Sequence, residues 1–228
     1  MAVSVSTIIE QVRYRIDEQT VASDYLTTYM DNTIKACIPD ALRWVCMYAD
    51  PALLTGNSSS ETSPAVKVFS FTGTSGTNNS ATLSDGVVTL PANYLRTLRV
   101  RVSSWKRSVG KLIQESSDEY LMQSDDTAKA DAMNPIVAEI NDVPQKLELF
   151  PKPGTNDTTS ITVVTNPAVE SSSTITGSTT YDVPEKARTA FYYYLAYLVM
   201  IAYNDSKANQ MYAAAKASLG STEPITKA

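Results

Sequence analysis

Two adjacent carboxylate pairs, Asp17–Glu18 and Asp125–Asp126, are the residues best suited to general acid–base work or metal binding. Neighbouring acids on a helix or loop face apart, and no further ligand stands at a useful spacing beside either pair. The chain contains no histidine. That removes the usual base near neutral pH, the Ser-His and Cys-His nucleophile systems, and the commonest transition-metal ligand. The eight glycines form no GxGxxG or Walker-type loop, so nothing cradles a nucleotide phosphate. Cys37 and Cys46 lie nine residues apart on a stretch that reads as helix. At about 100° per residue they point to opposite sides, which predicts two reduced, buried thiols and no disulfide. No enzyme activity, cofactor or metal is expected.

The charge pattern is more informative. The chain has 19 basic and 24 acidic residues, a net charge of −5 and a pI near 4.8, which argues against a sequence-reading nucleic-acid binder. Yet Arg96, Arg99, Arg101, Lys106, Arg107 and Lys111 form a basic block without one acid, leaving −11 for the remainder. Arg99 and Arg101 alternate with Leu98, Val100 and Val102, so a strand would place them on its opposite face. An acidic run follows at once: Glu115, Asp118, Glu119, Asp125, Asp126 and Asp131, relieved only by Lys129. Two readings are open. The basic face of one subunit meets the acidic segment of the next, or it is a solvated face that pairs within the subunit.

A third feature is a segment, 190–203, that is apolar all the way round. Phe191, Tyr194, Leu195, Leu198 and Ile201 make one face, and Tyr192, Tyr193, Tyr197, Met200 and Tyr203 cover much of the rest. A helix of this kind must be covered on every side, either by its own domain or by a neighbour. Tyrosine suits contacts with one wet end. At about 14 residues the segment is short of the roughly 20 that a membrane span needs.

These residues need elements to hold them. Thr7 and Glu10 form a capping box ahead of Ile8, Ile9, Val12 and Ile16, predicting a helix from Ile8 to Thr20. Ser23 or Asp24 caps a second helix through Leu26, Met30, Ile34, Cys37, Leu42, Val45 and Cys46, which Pro39 should kink or break and Asp50-Pro51 should end. Residues 55–84 are rich in Ser, Thr, Asn and Gly; VKVFSF alternates like a strand, and the rest reads as exposed loops. Strands follow at 87–90, 98–102, VGKLIQ, PIVAEI (135–140), KLELF (146–150) and ITVV (161–164), with a short acidic helical piece in 115–133. After a second Ser/Thr-rich stretch (170–180), Asp182, Pro184 and Glu185 start one long helix that runs to Gly220.

The fold class is therefore α+β. A helical body made of two N-terminal helices and a long C-terminal one carries a small antiparallel β module and Ser/Thr-rich insertions. The expected layout is a single domain over 1–228, with the helical pair at 7–50, an insertion at 55–84, the β module at 85–165 and the long helix at 182–219. The N-terminus MAVSVSTIIEQVRYRIDE has no basic start followed by an apolar run, so no signal peptide is read there.

The segment VVTLPANYLRTLRVRVSSWKRSV resembles the central signature of tailed-phage head–tail adaptor proteins. Leu90-Pro91 leads into Tyr94-Leu95-Arg96, then the alternating strand Leu98–Val102, Trp105 and the basic-apolar turn Arg107–Val109. Tyr120-Leu121, PIVAEI and LELFPKP (147–153) follow in the family's order, and the N-terminal helix pair and the Tyr-rich segment after VPEKA also match. The likeness is to podovirus-type adaptors, including the ring proteins of crAss-like phages. It leaves out 55–84 and 155–180, and the short tail STEPITKA stands where some members carry a longer portal-docking extension.

The resemblance implies a virion neck protein made in the bacterial host cytoplasm. It would form a homo-oligomeric ring, typically twelve-fold, between the portal protein and the next tail or ring protein, with genomic DNA passing through without sequence-specific contact and without a membrane. On this reading Arg96, Arg99, Arg101, Lys106, Arg107, Tyr192, Tyr193 and Tyr197 are candidates for the oligomer or portal interface. The rival reading is a surface or fibre-attached module that presents Ser/Thr-rich β loops to a receptor or glycan.

Overall fold

A computed structural model describes residues 2–16, 25–54, 65–125, 129–166 and 175–219. The chain divides into two compact units: a helical one from residues 1–65 and 166–228, and a β unit over 66–165 that is inserted between them in sequence. The class is α+β, as expected.

In the helical unit, β1 (Ala2–Ser4) pairs antiparallel with β11 (Thr180–Asp182). Helix α1 spans Val5–Arg15, and its cap is Ser4, whose Oγ accepts the Thr7 N–H at 3.2 Å. The Thr7–Glu10 box is therefore not the start. Ser4 already sits in extended backbone at the end of a paired strand, which is the geometry an N-cap needs. Residues 17–24, including the expected caps Ser23 and Asp24, lie outside the described residues.

Helix α2 (Tyr25–Tyr48) continues unbroken through Pro39. Proline removes one hydrogen bond to the preceding turn, but Ile34, Ile38, Ala41, Leu42, Val45 and Cys46 are all fully buried on one stripe, and that burial holds the helix across the gap. The expected stop is kept: the Asp50 carboxylate accepts the Ala52 N–H at 2.8 Å and starts the short helix α3 (Pro51–Leu54), with proline in its first position. Cys46 is buried and Cys37 half-buried, and neither is in a disulfide.

The expected long helix from 182 to 219 is two helices. Asp182 is spent in β11, Glu185–Ala187 form a single 3-10 turn, and α5 (Arg188–Ala202) and α6 (Ala208–Ser218) follow. The break has a local cause. Asn204 takes φ 55°, its N–H reaches the Ile201 carbonyl at 3.0 Å, and the Asp205 N–H reaches the Met200 carbonyl at 2.9 Å. This is a Schellman stop with asparagine in the left-handed position. Asp205 then accepts the Lys207 N–H at 2.7 Å in a turn that leads into α6, whose N-cap is Lys207.

The β unit holds two sheets. One has the order β2 (Val66–Thr72), β10 (Thr158–Thr165), β6 (Tyr94–Val102). The other runs β3 (Ser75–Asn78), β4 (Ala81–Ser84), β5 (Val87–Thr89), β9 (Lys146–Phe150), β8 (Ile136–Ile140), β7 (Ile113–Gln114). All pairs are antiparallel except β7 with β8. The part of 55–84 read as loops thus supplies two strands, β3 and β4, and in β4 Ala81 and Leu83 alternate inward while their Ser and Thr neighbours face out. Residues 55–64 lie outside the described residues, as do 167–174 of the second Ser/Thr-rich stretch. The acidic piece is shorter than expected: α4 (Asp118–Leu121) and one 3-10 turn, Met122–Ser124.

One core joins the two sheets. Phe69, Phe71, Val100, Val102, Ile161 and Val163 come from the first, and Leu83, Val88, Val137, Leu147 and Leu149 from the second, with Trp105 among them. Each strand therefore has an inner face against the other sheet and an outer face away from it.

Candidate interaction surfaces

Pairing register fixes where the basic block points. Across the first sheet, Val68, Thr162 and Arg99 form one row, and Ser70, Ser160 and Arg101 the next. Phe69, Ile161 and Val100, one step along, are buried in the core. Arg99 and Arg101 consequently stand on the outer face, and both are exposed. Leu98 is skipped in the pairing, which passes from Arg99–Thr162 to Thr97–Val163, so this bulge residue is only half-buried and leaves the alternation.

The chain then turns back. Val109 pairs antiparallel with Val100 through two 2.8 Å backbone bonds, which brings Lys106, Arg107 and Lys111 to the margin of the same sheet. All three are exposed. Among the described residues, the side chains of Arg99, Arg101, Lys106, Arg107 and Lys111 make no ion pair or hydrogen bond. Arg96 differs: it is half-buried and has its own partner. The reading in which this face pairs within the subunit does not hold for those five cations.

The acidic run sits on the other sheet. Tyr120 of α4 donates its hydroxyl to Glu148 at 2.9 Å and packs edge-on against Phe150, with ring centroids 6.0 Å apart. Glu148 and Phe150 alternate with the buried Leu147 and Leu149, so α4 lies over the outer face of the second sheet. The hydrogen bond to Glu148, and then burial, push the Tyr120 phenol up from its ordinary value. Glu115, Asp118 and Glu119 are exposed, with side chains making no ion pair among the described residues. Asp131 is used locally, accepting the N–H groups of Met133 and Asn134 at 2.8 and 2.7 Å. Asp126 lies outside the described residues.

The tyrosines belong to the helical unit and are largely used there. Tyr192 is buried, and the Arg15 guanidinium lies 5.0 Å from the ring centres of both Tyr192 and Tyr193. Tyr197 stacks on Tyr212 of α6 at 4.9 Å. Beside them Tyr194 stacks on Trp44 of α2 at 4.0 Å, nearly parallel; burial and then the neighbouring Tyr197 and Tyr212 push its phenol up to about 12. The apolar helix is thus covered mainly from within its unit, by Ala190, Phe191, Leu195, Ala196, Val199 and Met200 facing inward, while Ile201 and Tyr203 stay exposed.

Three features were not foreseen: exposed Val68 on edge strand β2 of the first sheet's outer face, exposed Leu121 and Met122 beside the acids of α4, and the Trp44–Tyr194 stack. Only the last had a sequence signal, an aromatic stripe at helical spacing on both helices. Among the described residues no group of His, Cys, Asp or Glu side chains could hold a metal ion, and no helix is long and apolar enough to cross a membrane.

Residues 3–226 match the family model described as SU10 adaptor protein. The chain belongs to the SU10 adaptor protein family. No curated protein matches it. Membership covers nearly the whole chain, so an SU10 adaptor is a phage structural adaptor built from both units, and its class implies a virion component without enzymatic activity.

Proposed function

We propose that this SU10 adaptor is a ring-forming subunit of the head-to-tail connector of a tailed phage of the podovirus type. It docks beneath the portal, carries the next tail or ring component and surrounds the channel through which the genome leaves. Family membership over residues 3–226 carries this reading. The charge distribution supports it: a net charge of −5 repels the phosphate backbone and lets DNA slide, while the exposed Arg99 and Arg101 stand together on one sheet face, where they meet protein and not the bore.

Size-exclusion chromatography with light scattering, on the chain alone and with its portal protein, tests the proposal. A large closed assembly in either setting is expected. A chain that stays monomeric with the portal present overturns it, and a ring would sink the rival reading of a receptor- or glycan-binding module.

A further inference from the structure

The β unit is nearly neutral, with ten basic and eleven acidic residues between 66 and 165, but two of its unpaired charge clusters stand on opposite sides. The outer face of the first sheet carries Arg99 and Arg101 on edge strand β6 and the exposed Val68 on the opposite edge strand β2, across β10, and no acid faces them. The outer face of the second sheet carries α4, where Asp118 and Glu119 flank exposed Leu121 and Met122. The shared core lies between the two faces, and packed sheets stand about 10 Å apart before side chains are added. The two patches therefore cannot reach each other within one copy.

They are complementary in two respects. Two unpaired cations face two unpaired acids, and an apolar patch accompanies each: Val68 on one side, Leu121 and Met122 on the other. Val68 is 55% exposed and Leu121 63%, an arrangement in which water-exposed aliphatic side chains gain from being covered. Complementary patches on opposite sides of one body make a heterologous contact, which closes into a ring when the rotation between copies allows it.

We propose that α4 of one copy docks on the outer face of the β2–β10–β6 sheet of the next, with Asp118 and Glu119 against Arg99 and Arg101, and Leu121 and Met122 over Val68. This rests on the ring reading and names the contact that closes the ring. The occupant is a second copy of this chain. Nucleic acid fits the face less well, because the exposed aliphatic Val68 in the same row as Arg99 offers nothing to a phosphate.

The test uses the full chain, its self-association followed by sedimentation velocity and, with portal protein present, by electron microscopy of assembled rings. Arg99→Glu with Arg101→Glu should weaken association on the order of tenfold or more, as should Asp118→Lys with Glu119→Lys, since each sets like charges against each other. All four positions are exposed, so circular dichroism should show both variants folded. Mixing the two variants restores opposite charges at every contact, and association should recover; the fourfold variant should recover alone. Wild-type assembly by both double variants, or no recovery in the mixture and in the fourfold variant, overturns the contact and leaves the ring reading standing. A wild-type chain that assembles in neither setting overturns both. Loss of duplex DNA binding by the Arg99/Arg101 variant with assembly unchanged overturns the contact in favour of nucleic acid.

Discussion

The Arg13 guanidinium, 4% exposed, lies 2.6 Å from Asp31 Oδ1 and ties α1 to α2, with a second bond from Nε to the same oxygen at 3.0 Å. Removing one partner of a buried pair strands the other, and Asp31 at 29% exposure softens the loss. Arg13→Ala should destabilise the helical unit by about 2–3 kcal/mol. Asp31→Asn, which keeps an acceptor oxygen, should cost less. Urea denaturation followed by far-UV circular dichroism ranks the two.

The turn between β4 and β5 depends on Gly86. It takes φ 81°, after Asp85 at φ 47°, the left-handed pair that a two-residue hairpin turn needs. An added Cβ would meet the Lys152 side chain at 2.6 Å. Gly86→Ala should therefore destabilise by about 1–3 kcal/mol. Combining it with Lys152→Ala should recover the steric part and leave the backbone part. Thermal melts of the single and double variants separate them.

Asn204 ends α5 in the left-handed region. Glycine adopts that backbone without Cβ strain, so Asn204→Gly should be neutral or stabilising, whereas Asn204→Ala should cost about 1 kcal/mol. Denaturant midpoints of the two variants should fall on opposite sides of, or one level with, the wild type.

Asp157 fastens the loop before β10 to the turn after β6. Its carboxylate accepts the Gly154 N–H at 2.8 Å and the hydroxyls of Ser103 and Ser104 at 2.8 and 2.7 Å. The backbone bond first, and then the serines, hold its carboxyl below the ordinary value of 3.8. A lowered folded-state value means the contribution is complete above the unfolded pKa and disappears as pH falls through the folded one. Asp157→Asn should lower stability at neutral pH and flatten its acid dependence below pH 4. Urea midpoints measured from neutral to acid pH check the sign.

Much of this was legible because the relevant signals are local. The alternation from Leu98 to Val102 correctly placed Arg99 and Arg101 away from Val100 and Val102, since a strand has only two faces. Pro39 misled because propensity reports the hydrogen bond lost and not the stripe from Ile34 to Cys46 that burial retains. The strands at 75–78 and 81–84 were hidden by Ser, Thr and Asn, although Asp85-Gly86 marked the hairpin that joins 81–84 to 87–89. Asn204-Asp205 likewise marked the helix break but was submerged in a continuous apolar pattern. The exposure of Val68, Leu121 and Met122 had no signal at all, because an aliphatic residue becomes a surface feature only once the covered face of each sheet is known.

The chain crosses into the β unit at Val66 and leaves it beyond Thr165, and Val66 and Val164 are cross-strand partners in adjacent strands. The two ends of this hundred-residue insertion therefore lie about one strand spacing apart. Bridging such a gap takes only a few residues, so the helical unit feels the insertion as little more than a loop. Selection can then lengthen, trim or exchange this segment as a cassette, retuning what the protein recognises while the helices that precede and follow it keep their own packing.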